Sequence, residues 1–532
     1  MMNARVILNK LIELTGFKAV LLVIGIGGLS SLAFPPTYCI PILLFTFPLL
    51  LLRIDQATSW KKAFAQGYWF GFGLHTVGLS WLVNAILIRA QDFWWLVPIV
   101  SPLCAILLAF WTGLVGALYY WIRPSGWRKI FVFAGLWTLC DMSRAILLSP
   151  SWWNPVLTGF PWNPLGSAWE IPGYVGDILI QPAAWVGVDG LTLFTVLLVL
   201  LPIYGRKGWV SLIVAMICWV GAGWVRLSPA PVAQQDTPIV ALIQGNIAED
   251  DKINNTDPRR IFQNYLSLTE EGMQKALQLQ KQQAIPNRPV LFAWPESSFP
   301  GDIAYDSMAR AVLMQQAKGA VAGILGAITR DEQGHIHNSL VVLKPEDGAI
   351  IAQYDKAKLV PFGESQPWYI PFHIVPGSPL TPGKGVETIP LAGVSSFGPL
   401  ICYEVIFSGQ VIDSSHRPKW LLNLTNDAWY GNSAGPRQHL AAVRLRAVEE
   451  GIPIVRVANT GISAVFDPYG REIVRIGWGI RADKAVALPG SLSGTLFSHV
   501  GRWIPFIISM IYVLFGIIFP NHKKRMLPTT EA

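Results

Sequence analysis

A succession of apolar runs is the feature that most restricts what this chain can become. Seven lie between residues 17 and 227, at about 17–35, 38–53, 65–88, 94–122, 129–148, 185–204 and 208–227, and an eighth lies at 502–520. Roughly 20 apolar residues are enough to cross a bilayer as a helix, the one open-ended structure that satisfies its own backbone in hydrocarbon. Charged residues are 14% of the chain, well under the roughly 25% of ordinary soluble proteins, so a membrane protein is expected. The 23 Trp and 25 Phe suit rings placed at the two lipid interfaces.

Charge orients these runs. The first follows Arg5, Lys10 and Lys18, lacks a good cleavage site at Ser31–Pro35, and is read as a retained span. With that end inside, one side of the membrane receives Arg53, Lys61, Lys62, Arg123, Arg128, Lys129, Arg206, Lys207 and His522–Arg525. The opposite loops hold Arg89 beside Asp92, and a stretch from Ser149 to Gln181 without Lys or Arg. The positive-inside rule then fits eight spans and puts the large polar region outside the cytoplasm, which in a bacterium is the periplasm. The net charge of +8 is explained by this bias and forms no stripe for nucleic acid. Within the fifth run Asp141 and Arg144 are spaced for a same-face ion pair. The following loop, with Trp152, Trp153, Phe160, Pro161 and Trp162, reads as an interfacial lid or rim.

Three segments result: a membrane domain over 1–230, a polar domain over 238–497 and a final span over 502–520. In the polar domain short β-type runs alternate with helical ones. Strands are expected at Pro238–Gln244, Pro289–Trp294, Ala320–Thr329, Ser339–Leu343, Ile350–Tyr354, Gly398–Ile401, Trp420–Thr425, Pro453–Ala458, Ser463–Asp467 and Glu472–Ile476. Helices are expected at Pro258–Ala284, Tyr403–Ser414 and Arg437–Glu450. Pro345–Gly348 signals a hairpin turn. The aperiodic, proline-rich and aromatic stretch Phe362–Val386 reads as a loop against the membrane surface or over the site.

Of five cysteines, Cys39, Cys104, Cys140 and Cys218 lie in apolar segments, which leaves Cys402 alone in the polar region. With no paired spacing, neither a disulfide framework nor a zinc site is expected. Cys402 ends an apolar run just before a helical one. At such a turn free N–H groups and a helix dipole favour a thiolate, although a small buried hydrophobe is the commoner fate of a lone cysteine. Glu296 and Lys356 also stand just past strand ends, the edge at which α/β sheets build sites. Converging there, the three would act as base, oxyanion stabiliser and nucleophile. Separately, Glu296 could cap a helix and Lys356 could be a solvated surface residue.

The runs Trp294-Pro295-Glu296-Ser297, Tyr354 to Glu364 (YDKAKLVPFGE), Ile401-Cys402-Tyr403-Glu404 and Asn426 to Gly431 (NDAWYG) resemble those of the apolipoprotein N-acyltransferases, the membrane branch of the nitrilase (carbon–nitrogen hydrolase) superfamily. Gln244-Gly245-Asn246 and Gly159-Phe160-Pro161-Trp162 extend the likeness over nearly the whole chain. It implies an αββα nitrilase-like sandwich on an eight-helix base, with Glu296 as general base, Lys356 as oxyanion stabiliser and Cys402 as nucleophile. It further implies Glu364 as a second carboxylate assisting them, and Tyr403 and Glu404 as shapers of the pocket. The implied reaction is ping-pong: a phospholipid donates an acyl chain to Cys402, and the α-amine of a diacylglyceryl-cysteine at a lipoprotein N-terminus accepts it, without cofactor or metal. One departure is Ile253 after Lys252, where members commonly carry tryptophan.

Two other classes stay in view. A membrane-anchored amidase would pass the same thioester to water, and a transporter or lipid-binding scaffold would carry an inert domain. A Cys–His pair using His439 or His416, and a metal site at His335 and His337, have weaker support in the spacing.

Overall fold

The computed structural model describes residues 4–145, 159–253, 257–365 and 379–518. Trp152 and Trp153, and most of the Phe362–Val386 stretch, lie outside them.

Among the described residues four helices are long and apolar enough to cross a membrane: Gly16–Ala33, Val100–Ile122, Ala183–Tyr204 and Arg206–Arg226. The expected eight spans are therefore corrected to four. The second run divides into a short 3-10 turn and the helix Leu43–Asp55, which contains Pro48. The third gives the helix Trp60–Gly78, diluted by Lys61, Lys62, Gln66 and His75, and a separate short helix Leu82–Leu87. The helix Arg128–Ser143 has 16 residues, which at 1.5 Å per residue is about 24 Å, short of the roughly 30 Å of hydrocarbon; the helix Trp503–Ile518 runs to the last described residue. These shorter helices pack within the bundle: Val132, Phe133 and Trp137 share a core with Phe47, Phe70 and Val513. Gly27, Gly67, Gly73 and Gly116 lie against the backbone of neighbouring helices, so close that a Cβ would collide with a carbonyl oxygen. Arg144 pairs with Asp141 as its spacing predicts, its Nε donating to Oδ1 at 3.0 Å.

Among the described residues the polar region contains twelve strands: β1 Ile239–Gln244, β2 Val290–Ala293, β3 Ala322–Arg330, β4 Ile336–Leu343, β5 Ile350–Asp355, β6 Ile389–Leu391, β7 Val394–Ile401, β8 Trp420–Thr425, β9 Ile454–Ala458, β10 Ser463–Phe466, β11 Glu472–Ile476 and β12 Ala482–Ala487. They form two six-stranded sheets, ordered β12-β1-β2-β3-β4-β5 and β11-β10-β9-β8-β7-β6. Strict alternation explains why each sheet is buried on both faces. Val240 and Leu242 of β1 meet Leu422, Leu424, Val455 and Val457 between the sheets. Ile239, Ala241 and Ile243 turn outward against Tyr265, Leu268 and Met273 of the helix Pro258–Gln282. Across the second sheet, Leu421 and Ile454 pack on Leu440, Val443 and Ala447 of the helix Ala434–Glu450. The result is an αββα sandwich.

Ten strands fall where the residue pattern predicts, and the Pro345–Gly348 turn closes the β4–β5 hairpin with Gly348 at φ +69°. Elements that were not legible include β6, β12 and the helices Ser307–Gln316, Glu249–Ile253 and Leu496–Val500. In β12 the alternation is carried by alanine and by Asp483, a buried carboxylate reached by Lys275 at 3.0 Å, so no apolar run marks it.

Side chains of the helix Ala434–Glu450 join the sandwich to the membrane bundle. Gln438 Oε1 accepts from the indole N–H groups of Trp81 (3.1 Å) and Trp162 (2.8 Å), and its Nε2 donates to the carbonyls of Pro35 and Gly78. Trp162 is thus a buried joint, 3% exposed, and not part of an interfacial rim. Lower on the same helix Arg444 bonds Glu170 (2.9 Å) and Asp177 (2.5 Å), while Arg502 donates to Asp189 at 2.5 Å. Dry, fully bonded pairs of this kind specify one docking geometry more than they add stability.

Candidate active site

Three strand ends place the chemistry. β2 and β3 are parallel, and β3, β4 and β5 follow one another antiparallel. β2 and β5 therefore end at the same edge, with Glu296 after one and Lys356 after the other. β4 begins at that edge, and Lys356 N–H closes on the carbonyl of Asn338 at 2.8 Å. In the facing sheet β7 and β8 run parallel with Ile401 opposite Leu424, which sets Cys402 level with Thr425.

Lys356 is 1% exposed and donates to two carboxylates, Glu296 Oε1 at 3.2 Å and Glu364 Oε1 at 2.8 Å. Burial works against its charge, but Glu296 and Glu364 outweigh that and raise its pKa. The ammonium is held between the two carboxylates. Asn338, unmarked by any sequence signal, is the fourth member. Its Nδ2 donates to Glu296 Oε1 (2.8 Å) and Glu364 Oε1 (3.1 Å), and Val360 N–H reaches Glu364 Oε2 at 2.9 Å. The carboxylates are thus held apart by shared donors. Asn338→Leu is expected to lower Cys402 acylation about 10²-fold and stability by about 1–3 kcal/mol, since two buried acceptors lose a donor. Label incorporation and detergent-phase thermal unfolding would measure the two effects.

Cys402 is 5% exposed and at φ +47°. Ser297, Phe362 and Asn246 also have positive φ at +46°, +63° and +51°, so left-handed residues recur beside the strand ends. Such conformations, at about 1–3 kcal/mol each, persist only where surrounding structure enforces them. Here the enforcement is visible. The carbonyl of Cys402 accepts His439 Nε2–H at 3.1 Å, and Ile401 N–H donates to Glu404 Oε2 at 2.8 Å. The expected helix Tyr403–Ser414 is a single 3-10 turn, Cys402–Ile406, ended by Phe407 in extended geometry and by Gly409 at φ +71°.

The helix dipole expected to favour a thiolate is therefore lacking after this turn. Burial pushes the thiol up to about 12, Glu296 adds to this, and Lys356 only partly opposes it. A neutral thiol therefore needs a base at the moment of attack, and Glu296 is within electrostatic reach. His439 is not placed to serve: it lies under the turn against the peptide carbonyl, and its Nδ1 faces Asp427 Oδ1 at 3.0 Å. Asp427 is also bonded by Arg456 at 2.6 Å. Burial opposes its charge, yet Arg456 and His439 hold it down to about 2.

Glu404 and Tyr403 are supports. Glu404 Oε1 accepts from Tyr354 (2.7 Å), Ala357 N–H (2.8 Å) and Lys358 N–H (3.2 Å), so one side chain ties the segment after Lys356 to the turn of Cys402. The Tyr403 hydroxyl donates to the carbonyl of Gly159 and its ring stacks on Phe160, centroids 6.2 Å apart. That carries the cysteine turn directly onto the membrane half.

A two-sheet sandwich presenting a buried cysteine, lysine and carboxylate is the arrangement of the carbon–nitrogen hydrolases, and residues 239–482 match the family described as Carbon-nitrogen hydrolase. Residues 26–201 match a second description, the apolipoprotein N-acyltransferase N-terminal domain. The chain is 32% identical to the apolipoprotein N-acyltransferase of Rhodopseudomonas palustris, over 96% of each chain. It is 32% identical to that of Bradyrhizobium diazoefficiens, over 94% of this chain and 95% of the relative. It belongs to the apolipoprotein N-acyltransferase family. Among solved structures it is similar to an amidase from Nesterenkonia sp., with 18% identity and a TM-score of 0.34 over 49% of this chain and 94% of that one.

Proposed function

We propose that this chain moves an acyl chain from a membrane phospholipid to the α-amino group of the N-terminal diacylglyceryl-cysteine of a bacterial lipoprotein, through a thioester on Cys402. One observation carries the reading: Cys402 is within electrostatic reach of the bonded Lys356–Glu296 pair, and its turn is bonded through Tyr403 to the membrane half. A cysteine built this way serves a substrate that arrives from the bilayer.

In the first half-reaction Glu296 takes the thiol proton as sulfur attacks the ester carbonyl of the donor. Lys356 faces the oxyanion, the ester C–O bond breaks, and Glu296 returns the proton to the departing alkoxide of the lysophospholipid. In the second, the acceptor amine attacks the thioester and the C–S bond breaks. Glu296 carries the amine proton to the leaving sulfur, restoring the thiol. Glu364 and Asn338 keep Glu296 and Lys356 in register, and Glu404 holds the cysteine turn. Membership of the apolipoprotein N-acyltransferase family supports an inner-membrane location with the sandwich, residues 238–497, on the periplasmic side, between a membrane domain over 1–230 and the apolar segment at 502–520.

Incubation of the protein with phospholipid labelled in its acyl chain is expected to leave a hydroxylamine-sensitive label on Cys402. A diacylglyceryl-cysteine peptide should then discharge it as an amide. If no label reaches Cys402 the reading fails; if only free fatty acid forms while the peptide is present, the protein is a hydrolase.

A further inference from the structure

The loop after β1 crosses the mouth of the site, and one of its side chains has no use in the chemistry above. β1 and β2 are parallel with Leu242 opposite Ala293, so continuing that register sets Gly245 level with Glu296. The loop next meets the second sheet. The N–H of Ile247 donates to Asn459 Oδ1 at 3.0 Å, and Asn426 Nδ2 donates to Glu249 Oε2 at 2.6 Å. Asn426 follows Thr425, the residue level with Cys402. The short helix Glu249–Ile253 therefore sits between the end that bears Glu296 and the end that bears Cys402.

Lys252 lies on this helix. Its Nζ is shut off from solvent and has no hydrogen-bond partner among the described residues. Glu249 and Glu296 are within electrostatic reach, although burial prevails and lowers the lysine pKa. Both carboxylates already have donors: Glu249 has Asn426, and Glu296 has Lys356 and Asn338. An ammonium buried without an acceptor is costly, and an anion that comes with the substrate would relieve that cost. The acceptor brings an amine to the sulfur, the wrong charge for this lysine. The donor carries its acyl ester and its phosphodiester on one glycerol, so a carbonyl at Cys402 delivers a phosphate anion nearby.

We propose that Lys252 Nζ receives the phosphodiester of the acyl-donor lipid and makes the first half-reaction selective for anionic-phosphate lipids over uncharged ones. This rests on the phospholipid-to-cysteine reading above. Two synthetic donors in neutral detergent micelles test it: phosphatidylmethanol, a phosphodiester, and its dimethyl phosphotriester, which differs by one methyl group and one charge. On wild-type protein the diester should acylate Cys402 about ten- to a hundredfold faster, the range for a charge-assisted hydrogen bond. In Lys252→Met that ratio should fall close to one, and in Lys252→Arg it should be largely kept. Lys252→Gln reads the same ratio if the methionine variant does not fold. Equal rates from the two lipids on wild-type protein would overturn the assignment, as would a wild-type ratio retained in the methionine or glutamine variant. Absence of any label on Cys402 from either lipid would instead sink the acyl-transfer reading itself.

Discussion

Cys402→Ser is expected to abolish the hydroxylamine-sensitive adduct and to lower acyl transfer about 10⁴-fold or more, with the fold intact. The hydroxyl is nearly the size of the thiol, and the turn is enforced by backbone bonds from His439 and Glu404 that do not involve the side chain. Stability should therefore change little. Chemistry suffers because a serine hydroxyl is a far harder acid than a thiol, and one carboxylate without an adjacent histidine is a poor base for it. The wild-type sulfur adds a second measurement. Held up to about 12, it is a neutral thiol throughout the physiological range and gains thiolate only as pH rises. Iodoacetamide labelling of Cys402 should accelerate about tenfold per pH unit from pH 6 to 9 without levelling. A plateau near pH 7 would mean a preformed thiolate and would remove the need for Glu296 as base. Labelled protein in each case can be located by peptide mass.

How much of this was legible in the chain depends on how local each signal is. Glu296, Lys356 and Cys402 each follow a short apolar run, and the runs are strands, so their ends could be read residue by residue. The alternation of strands and helices followed from the same runs, while the αββα sandwich was implied by the family resemblance. Asn338 could not be read in this way. It is an ordinary strand residue until the β3–β4–β5 pairing puts its amide between two carboxylates. The helix after Cys402 was misread for a related reason: whether one forms is decided by Gly409 and by a bond from Ser408 to Glu449, 41 positions away. Hydropathy finds apolar runs, but it does not register the break after Gly78 or the proline in Leu43–Asp55, and so it overcounted spans. Trp162 looked like a membrane-surface residue because Trp, Pro and Gly cluster there. Its indole instead finds Gln438, 276 positions away.

Lys356→Met should damage both acylation and stability, and its pH dependence separates charge from packing. Methionine fills nearly the same volume, so the space stays occupied. It leaves Glu296 and Glu364 buried, both bonded to the single amide of Asn338, with no cation between them. Two carboxylates so placed cannot both ionise cheaply, and the pair must retain a proton at neutral pH. A shared proton weakens the base, and the oxyanion has lost its ammonium. Acylation should fall about 10³- to 10⁵-fold. Breaking a buried ion pair from one side costs about 3–5 kcal/mol. The pH sign follows from linkage: in the variant the folded pair titrates above its unfolded value, so the folded state binds more protons and gains stability as pH falls. The stability gap to wild type, read by thermal unfolding in detergent, should be widest near pH 8 and narrow toward pH 5. Adding Glu364→Gln to Lys356→Met removes one of the competing charges and should restore much of the stability while acylation stays absent. A gap independent of pH, or a double variant no more stable than Lys356→Met, would show that the lysine acts by packing rather than by charge.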